Sequence, residues 1–171
     1  MSAILSKSEI LSSIKNIPPL IENYINLDEQ VQSNGIDLTL RDISTLQSSG
    51  SIGEENNQRV ISNLASLVFD KSGYINLASG AYVVTYNEIV NLPRDVMALG
   101  TARSSFLRCG VAIHTAVWDA GYSGRSQSLL TVYNPQGFRL QKNARITQLV
   151  FYKLTEETEA YHGTYQKENI I

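Results

Sequence analysis

The sequence of 171 residues contains little cysteine and histidine and no long apolar run. It has one Cys, Cys109, and two His. A single Cys excludes an intramolecular disulfide framework and a multi-cysteine zinc cage, so we expect a reducing compartment. No stretch of 18 or more apolar residues occurs, and the N-terminus lacks a basic region followed by an apolar one. The sequence therefore predicts a cytoplasmic protein that does not associate with a membrane.

Charged side chains are also scarce, at 18% of the residues, against about 25% in typical domains. The formal net charge is -2 and the isoelectric point is near 5.7, which argues against binding of nucleic acid. Polar contacts are therefore left to Ser, Thr, Asn and Gln or to subunit interfaces. The length fits one domain, since domains mostly have about 100–200 residues, and we expect a single domain over 1–171.

The pattern of apolar residues predicts one short N-terminal helix followed by strands. Ser6 and Glu9 form a capping-box pattern at the start of a helix over 6–16, and Pro18 and Pro19 end it. The segment 44–58 is polar and predicts a mobile loop, and the tail 155–171 predicts an arm that is flexible unless a partner or ligand orders it. Short apolar runs separated by turn residues predict strands at 35–41, 67–69, 74–77, 81–86, 111–113, 128–133, 138–140 and 146–152. Such spacing is typical of an all-β sandwich or barrel.

Residues 100–110 contain two arginines that bracket two hydroxyl side chains. Arginine offers a planar fork of donors that suits phosphate oxygens, and serine hydroxyls can bind the oxygens that remain. Taken alone, the segment is explained more simply as a solvated surface turn. The candidate phosphate-binding residues are Arg103, Ser104, Ser105 and Arg108.

Three further segments carry candidate site residues. Asp119 follows an apolar run and precedes the glycine-flanked Tyr122, so its carboxylate could polarise a water beside an aromatic ring. Taken alone, the segment is explained more simply as a β-hairpin whose aspartate and glycine make the turn. Gln148 lies among apolar neighbours and needs a backbone or ligand partner if it is buried. His162 and Gln166 belong to an aromatic, glycine-containing patch in the tail, and such tails can close over a ligand.

The order of these segments along the chain resembles the superfamily of deoxyuridine triphosphatases (dUTPases) and dCTP deaminases. The stretches 19–24 and 32–37 are particularly similar to the archaeal dUTPase branch. The resemblance covers nearly the whole chain apart from 44–58, and six motifs in order are far more specific than one. The matching segments are Gly-Ile-Asp-Leu-Thr-Leu at 35–40, Leu-Pro-Arg-Asp at 92–95, Arg-Ser-Ser at 103–105, Asp-Ala-Gly-Tyr-Ser-Gly at 119–124, Arg-Ile-Thr-Gln-Leu at 145–149 and the tail at 161–166.

This resemblance implies a distorted β-barrel or jelly roll of the dUTPase-like (β-clip) type with a short N-terminal helix, assembled as a homotrimer with active sites shared between subunits. It implies that the protein hydrolyses dUTP to dUMP and pyrophosphate, with Mg²⁺ held mainly by substrate phosphates and water. By motif match, Asp119 orients or deprotonates the attacking water, Arg103, Ser104 and Ser105 bind the triphosphate, and Arg108 corresponds to a second arginine of the deaminase-like branch. Tyr122 would pack under the deoxyribose and exclude a 2′-hydroxyl, Gln148 would lie near the phosphates, and Gln166 and His162 would belong to a tail that folds over the nucleotide.

Two other functions are possible on the same scaffold: dCTP deamination, with or without dUTP hydrolysis, and nucleotide binding without catalysis. In the deaminases, a glutamate two residues before an aromatic–Asn pair activates the water. Thr131 occupies that position here, no acidic residue lies between Asp119 and Glu156, and a threonine cannot act as that base. A zinc-dependent deaminase is excluded because one Cys cannot supply its Cys pair. Asp37, in the first motif, could contact Mg²⁺-bound waters or only brace a turn.

Overall fold

The computed structural model describes residues 3–170. Its helices are short: α1 (Lys7–Ser13), α2 (Leu27–Gln30) and α3 (Ser104–Arg108). The predicted capping box is present at α1, where the Ser6 hydroxyl accepts the Glu9 N–H and the Glu9 carboxylate accepts the Ser6 N–H at 2.8 Å. The helix ends at Ser13, before the predicted boundary at residue 16. None of these helices is long and apolar enough to cross a membrane.

Strands dominate the chain, which confirms the predicted all-β class. Most predicted strands are found, and several extend beyond their predicted bounds. The strands are β1 (Ile21–Glu22), β2 (Val31–Gln32), β3 (Gly35–Leu46), β4 (Leu64–Ser66), β5 (Tyr74–Leu77), β6 (Gly80–Tyr86), β7 (Ile89–Asn91), β8 (Val96–Ala102), β9 (Val111–His114), β10 (Ser123–Gly124), β11 (Gln127–Val132), β12 (Phe138–Gln141) and β13 (Arg145–Lys153).

The main sheet runs in the order β8-β13-β3-β6-β11-β9, with β2 and β4 also paired to β3. Its pairs are antiparallel, and it curls into a nearly closed barrel. The two long strands β3 and β13 pair in its middle and fill the interior with fully buried side chains, among them Leu38, Ile146 and Phe151. Two small sheets, β1-β7-β10 and β12-β5, complete the fold. The predicted distorted β-barrel is therefore present.

Three sequence predictions differ from the structure. No strand forms at 67–69; instead β4 lies just before it and pairs with the end of β3. The polar segment 44–58 carries the end of β3 and a short bridge in which Ser51 and Val60 exchange backbone hydrogen bonds, because backbone pairing does not require apolar side chains. Strand β8, which contains Gly100, was not among the predicted strands. Packing explains this glycine, since a Cβ there would lie 2.9 Å from the Trp118 ring.

Candidate functional site

A buried carboxylate between two arginines lies at the centre of the main sheet. Asp37 is 1% exposed, and its Oδ2 lies 3.1 Å from Arg103 Nε and 3.6 Å from an Nη of Arg145. Burial raises the pKa of Asp37, and the positive charges of the two arginines oppose that shift. Two partly exposed guanidinium groups share one carboxylate, so the group keeps an excess positive charge that suits an anion. We call Asp37, Arg103, Arg145 and Gln148 the arginine edge.

A β-bulge in β13 lies next to the arginine edge and contacts the backbone of Arg103. Arg145 pairs with Thr39 and Thr147 pairs with Leu38, so Ile146 is an extra residue on β13. The carbonyl of Ile146 accepts the N–H of Arg103 at 3.2 Å, at the point where β8 ends. The bulge therefore fixes the backbone of Arg103 where the chain turns into α3.

The remaining predicted phosphate-binding residues lie near Arg103, where the chain passes from β8 into α3. Ser104 and Ser105 form the exposed first turn of α3, while Arg108 donates to the carbonyl of Ser104 at 2.9 Å. Gln148 lies beside Asp37 in β3 and Thr101 in β8. Within residues 3–170, the Gln148 amide and the hydroxyls of Ser104 and Ser105 make no hydrogen bond, so they can bind a ligand.

A second group of predicted residues lines a cleft of about 250 Å³. Asp119 is exposed at its rim, and the left-handed Gly121 (φ +79°) turns the chain so that the Tyr122 N–H donates to the Asp119 carbonyl at 3.1 Å. The Tyr122 side chain is buried, and burial raises the pKa of its phenol. Its hydroxyl donates to the Glu168 carboxylate at 2.9 Å and lies 2.8 Å from the Ser126 hydroxyl. We call Asp119, Tyr122, Tyr161 and Glu168 the aromatic cleft.

The C-terminal arm forms one wall of this cleft through Tyr161, Tyr165 and Glu168. The side-chain oxygen of Gln166 accepts the N–H of Ser123 at 2.8 Å, and its NH₂ group donates to the carbonyl of Gly121 at 2.9 Å. The Gln166 amide therefore supplies hydrogen bonds to backbone groups of residues 121 and 123. The Tyr161 ring meets the Tyr122 ring edge-on, with 5.8 Å between centroids. The arm thus makes long-range contacts that its lack of apolar periodicity does not indicate. His162 is exposed and makes no side-chain hydrogen bond or ion pair within residues 3–170.

The structure thus collects the predicted residues in two places. Arg103, Ser104, Ser105 and Gln148 lie at the arginine edge, whereas Asp119, Tyr122 and Gln166 lie at the aromatic cleft. No side-chain hydrogen bond or ion pair within residues 3–170 joins the two groups. No cluster of three His, Cys, Asp or Glu suited to a metal ion occurs in the same range.

Sequence reasoning missed Arg145 and Glu168 as site residues. Arg145 opens the segment 145–149 that carries the resemblance, so its position in that motif was the available signal. Glu168 has no such signal, because only the docked arm brings it to the Tyr122 hydroxyl.

The fold and the two groups define a β-barrel protein with paired arginines at one group of strands and an aromatic cleft beside the C-terminal arm. The family model described as dCTP deaminase-like matches residues 4–154. The chain belongs to this dCTP deaminase-like family, and the predicted superfamily resemblance is confirmed.

Curated relatives from archaea match almost the whole chain. A protein of Methanosarcina mazei named "Probable deoxyuridine 5'-triphosphate nucleotidohydrolase" is 50% identical over 168 residues, 98% of each chain. The "Deoxyuridine 5'-triphosphate nucleotidohydrolase" of Methanocaldococcus jannaschii is 34% identical over 140 residues, covering 81% of this chain and 88% of that protein. Among solved structures, a 2′-deoxycytidine 5′-triphosphate deaminase from Agrobacterium tumefaciens has a TM-score of 0.66 at 22% identity, over 88% of this chain and 48% of that one, which shows the shared fold.

Proposed function

We propose that this protein hydrolyses dUTP to dUMP and pyrophosphate. The observation that carries the proposal is the 50% identity, over 98% of both chains, to an archaeal protein named as a deoxyuridine 5′-triphosphate nucleotidohydrolase. The family model and the fold agree with this function but do not by themselves separate it from dCTP deamination.

The arginine edge would hold the triphosphate. Arg103, Ser104 and Ser105 present a guanidinium and two hydroxyls that can bind phosphate oxygens, and the free amide of Gln148 lies on the adjacent strand. Arg108 reaches the phosphates if it leaves the Ser104 carbonyl, to which it now donates. The buried Asp37 carboxylate would hold Arg103 in place through their 3.1 Å ion pair.

Asp119 would orient and deprotonate the attacking water. The water oxygen forms a bond to the α-phosphorus, the bond from that phosphorus to the oxygen bridging the α- and β-phosphates breaks, and pyrophosphate leaves. The proton of the water passes to the Asp119 carboxylate. Asp119 suits this role because its exposed carboxylate makes no hydrogen bond or ion pair with residues 3–170.

The aromatic cleft would bind the deoxyribose. The Tyr122 ring would pack under the sugar and exclude a 2′-hydroxyl, and its burial and its bond to Glu168 fix the ring. Gln166 and the exposed His162 would cover the nucleotide with the arm.

The residues present fit a Mg²⁺ ion that arrives with the substrate. Mg²⁺ keeps several waters and is bound in such sites by substrate phosphates with one or two carboxylates, so a site lacking a three-ligand cluster within residues 3–170 suits it. Asp119 is the carboxylate free to meet its waters, since Asp37 is already paired with arginines. When bound, the ion would neutralise charge on the triphosphate.

A homotrimer with shared active sites completes the proposal. Its support is the separation of the arginine edge from the aromatic cleft in one chain, together with exposed apolar side chains such as Leu99, Val117 and Leu129 that a subunit contact would cover. We place the protein in the cytoplasm, since its single Cys109 is free and exposed.

Deamination of dCTP is the second candidate, favoured only by the fold and the name of the family. Thr131 lies on β11 between β6 and β9, at the position where the resemblance would put the catalytic glutamate. No acidic residue stands between Asp119 and Glu156 to replace it. Water attack on the cytosine ring needs a base within hydrogen-bond reach, so we expect no deamination.

One assay separates these functions. The purified protein is incubated with Mg²⁺ and dUTP, dCTP, dTTP or UTP, and the products are separated by chromatography while released ammonia is measured. We expect dUMP and pyrophosphate from dUTP and no ammonia from dCTP above background. Stoichiometric ammonia from dCTP would identify a dCTP deaminase, or a bifunctional enzyme if dUTP is hydrolysed as well.

A further inference from the structure

A buried carboxylate that the proposed mechanism does not use lies directly behind the arginine edge. Glu88 has no exposed surface. One carboxylate oxygen accepts the backbone N–H of Thr39 at 2.8 Å, and the other accepts the Thr39 hydroxyl at 2.6 Å and the Gln30 amide at 2.7 Å. Glu88 forms no ion pair with residues 3–170. Burial raises the pKa of Glu88, and although its charge interacts with that of Arg125, the two side chains form no ion pair. A buried carboxylate without an ion-pair partner is costly, so Glu88 calls for a specific explanation.

The explanation lies in the end of β6. Strand β6 pairs with β3 up to the contact of Tyr86 with Leu40, and the next N–H, that of Asn87, still donates to the Thr39 carbonyl at 3.0 Å. The chain then turns into β7 and leaves the segment 37–39 of β3 without a strand on that side. The Glu88 carboxylate accepts the Thr39 N–H in place of a strand carbonyl.

Gln30 also takes the place of a neighbouring strand, at Asp37, two residues before Thr39 in β3. Its amide donates to the carbonyl of Asp37 at 2.8 Å as well as to Glu88, and its oxygen accepts the N–H groups of Ile25 and Asn26. The backbone of Asp37 is therefore held on one side by β13 and on the other by Gln30, whose amide also donates to Glu88. The direction of the Asp37 carboxylate depends on both sides.

We propose that Glu88 is a positioning residue for triphosphate binding: it holds residues 37–39 of β3 so that the Asp37 carboxylate sets Arg103 and Arg145 for the phosphates. Glu88 itself does not touch the substrate. The inference rests on the proposed function, because the ligand of the arginine edge is taken to be a triphosphate.

Glu88→Gln tests the inference with little change in size. The new NH₂ group must face either the Thr39 N–H or the Gln30 amide, both of which are donors, so one hydrogen bond is lost and the segment shifts. We expect the KM for dUTP to rise about tenfold, the fold-change typical of one such hydrogen bond, with kcat changed far less. Leu77→Ala, a core truncation in the β12-β5 sheet, is the matched control and should lower the melting temperature without raising KM.

A double-mutant cycle distinguishes positioning from general destabilisation. If Glu88 acts through Asp37, Glu88→Gln should raise KM little further in an Asp37→Asn background. Should that double variant not fold, the Arg103→Ala background supplies the same comparison at a partly exposed side chain. Additive effects in both backgrounds, or an equal rise of KM in Leu77→Ala, would refute the positioning role.

Calorimetric titration with inorganic tripolyphosphate separates this inference from the proposed activity. Weaker binding by Glu88→Gln than by the wild type supports the positioning role even if the wild type hydrolyses no dUTP, in which case only the proposed function fails. Equal tripolyphosphate affinities and equal KM values for the two proteins overturn the positioning role while dUTP hydrolysis stands.

Discussion

The arginine edge and the aromatic cleft are built in different ways. At the arginine edge, Asp37 lies in the central strand β3 and is fixed by β13 on one side and on the other by Gln30, whose amide also donates to Glu88. At the aromatic cleft, Asp119 stands on a loop and Tyr122 is fixed by Glu168, which belongs to the C-terminal arm. The phosphate half of the proposed site is thus positioned by barrel strands, whereas the sugar half is positioned in part by the C-terminal arm.

This difference suits a nucleotide that must enter and leave. Preorganised charges favour triphosphate binding because the protein does not need to rearrange when the ligand binds. A segment with few buried apolar contacts opens more readily than a barrel strand. We therefore expect substitutions at the arginine edge to change the affinity for the triphosphate. Substitutions at the aromatic cleft should change kcat or the docking of the C-terminal arm.

The largest expected effect is that of Asp119→Asn. The substitution keeps size and most hydrogen bonding but removes the base, so kcat for dUTP should fall by about 10²–10⁴-fold. Affinity for a non-hydrolysable dUTP analogue, measured by calorimetry, should stay near that of the wild type. Near-normal turnover would remove Asp119 from the mechanism.

Arg103→Ala should have the next largest effect, on affinity. Loss of one charge-assisted contact, worth about 1.5–3 kcal/mol, weakens binding by roughly 10- to 150-fold.

Mixing this variant with a chain truncated after Ala160 tests whether active sites are shared between subunits: partial recovery of activity is expected in mixed trimers. No recovery, or a fully active monomer in sedimentation, would contradict shared sites.

A smaller effect is expected for Tyr122→Phe, which removes the hydroxyl between Glu168 and Ser126. Loss of this hydrogen bonding should lower the stability of the docked arm by about 1 kcal/mol while the arginine edge is unaffected. The arm of the variant should be cleaved faster by a protease, and tripolyphosphate affinity should not change. An unchanged rate of cleavage would show that the hydroxyl does not hold the arm.

The smallest expected effect is a pH dependence of arm docking. Burial raises the pKa of Glu168 above its usual value of 4.5 when the arm is docked, although the hydrogen bond from Tyr122 opposes the shift. The docked state therefore binds a proton more tightly than the open state, so docking should strengthen as pH falls from neutral toward 4.5. Protection of the arm from proteolysis should follow this trend in the wild type. Glu168→Gln, which keeps an acceptor for Tyr122 but does not titrate, should show a weaker trend; an identical trend would assign the effect to another group.

The sequence by itself determined the local features and the family. The capping box at Ser6 and Glu9, the strand-forming runs of β3 and β13, and the ordered motifs from residue 35 to residue 149 can be read because each depends on neighbouring residues. The alternation at 35–41 does not appear in the burial, since residues 35–40 are all buried. The roles of Asp119, Arg103 and the other site residues remain predictions from those motifs.

Only the tertiary structure decided how these residues meet. The ion pairs of Asp37 with Arg103 and Arg145, the bulge at Ile146, the substitution of a β6 carbonyl by Glu88 and the docking of the arm by Gln166 all join segments distant along the chain. Such contacts leave no local periodicity, because a buried polar group takes its partner from whichever strand or loop the fold brings to it.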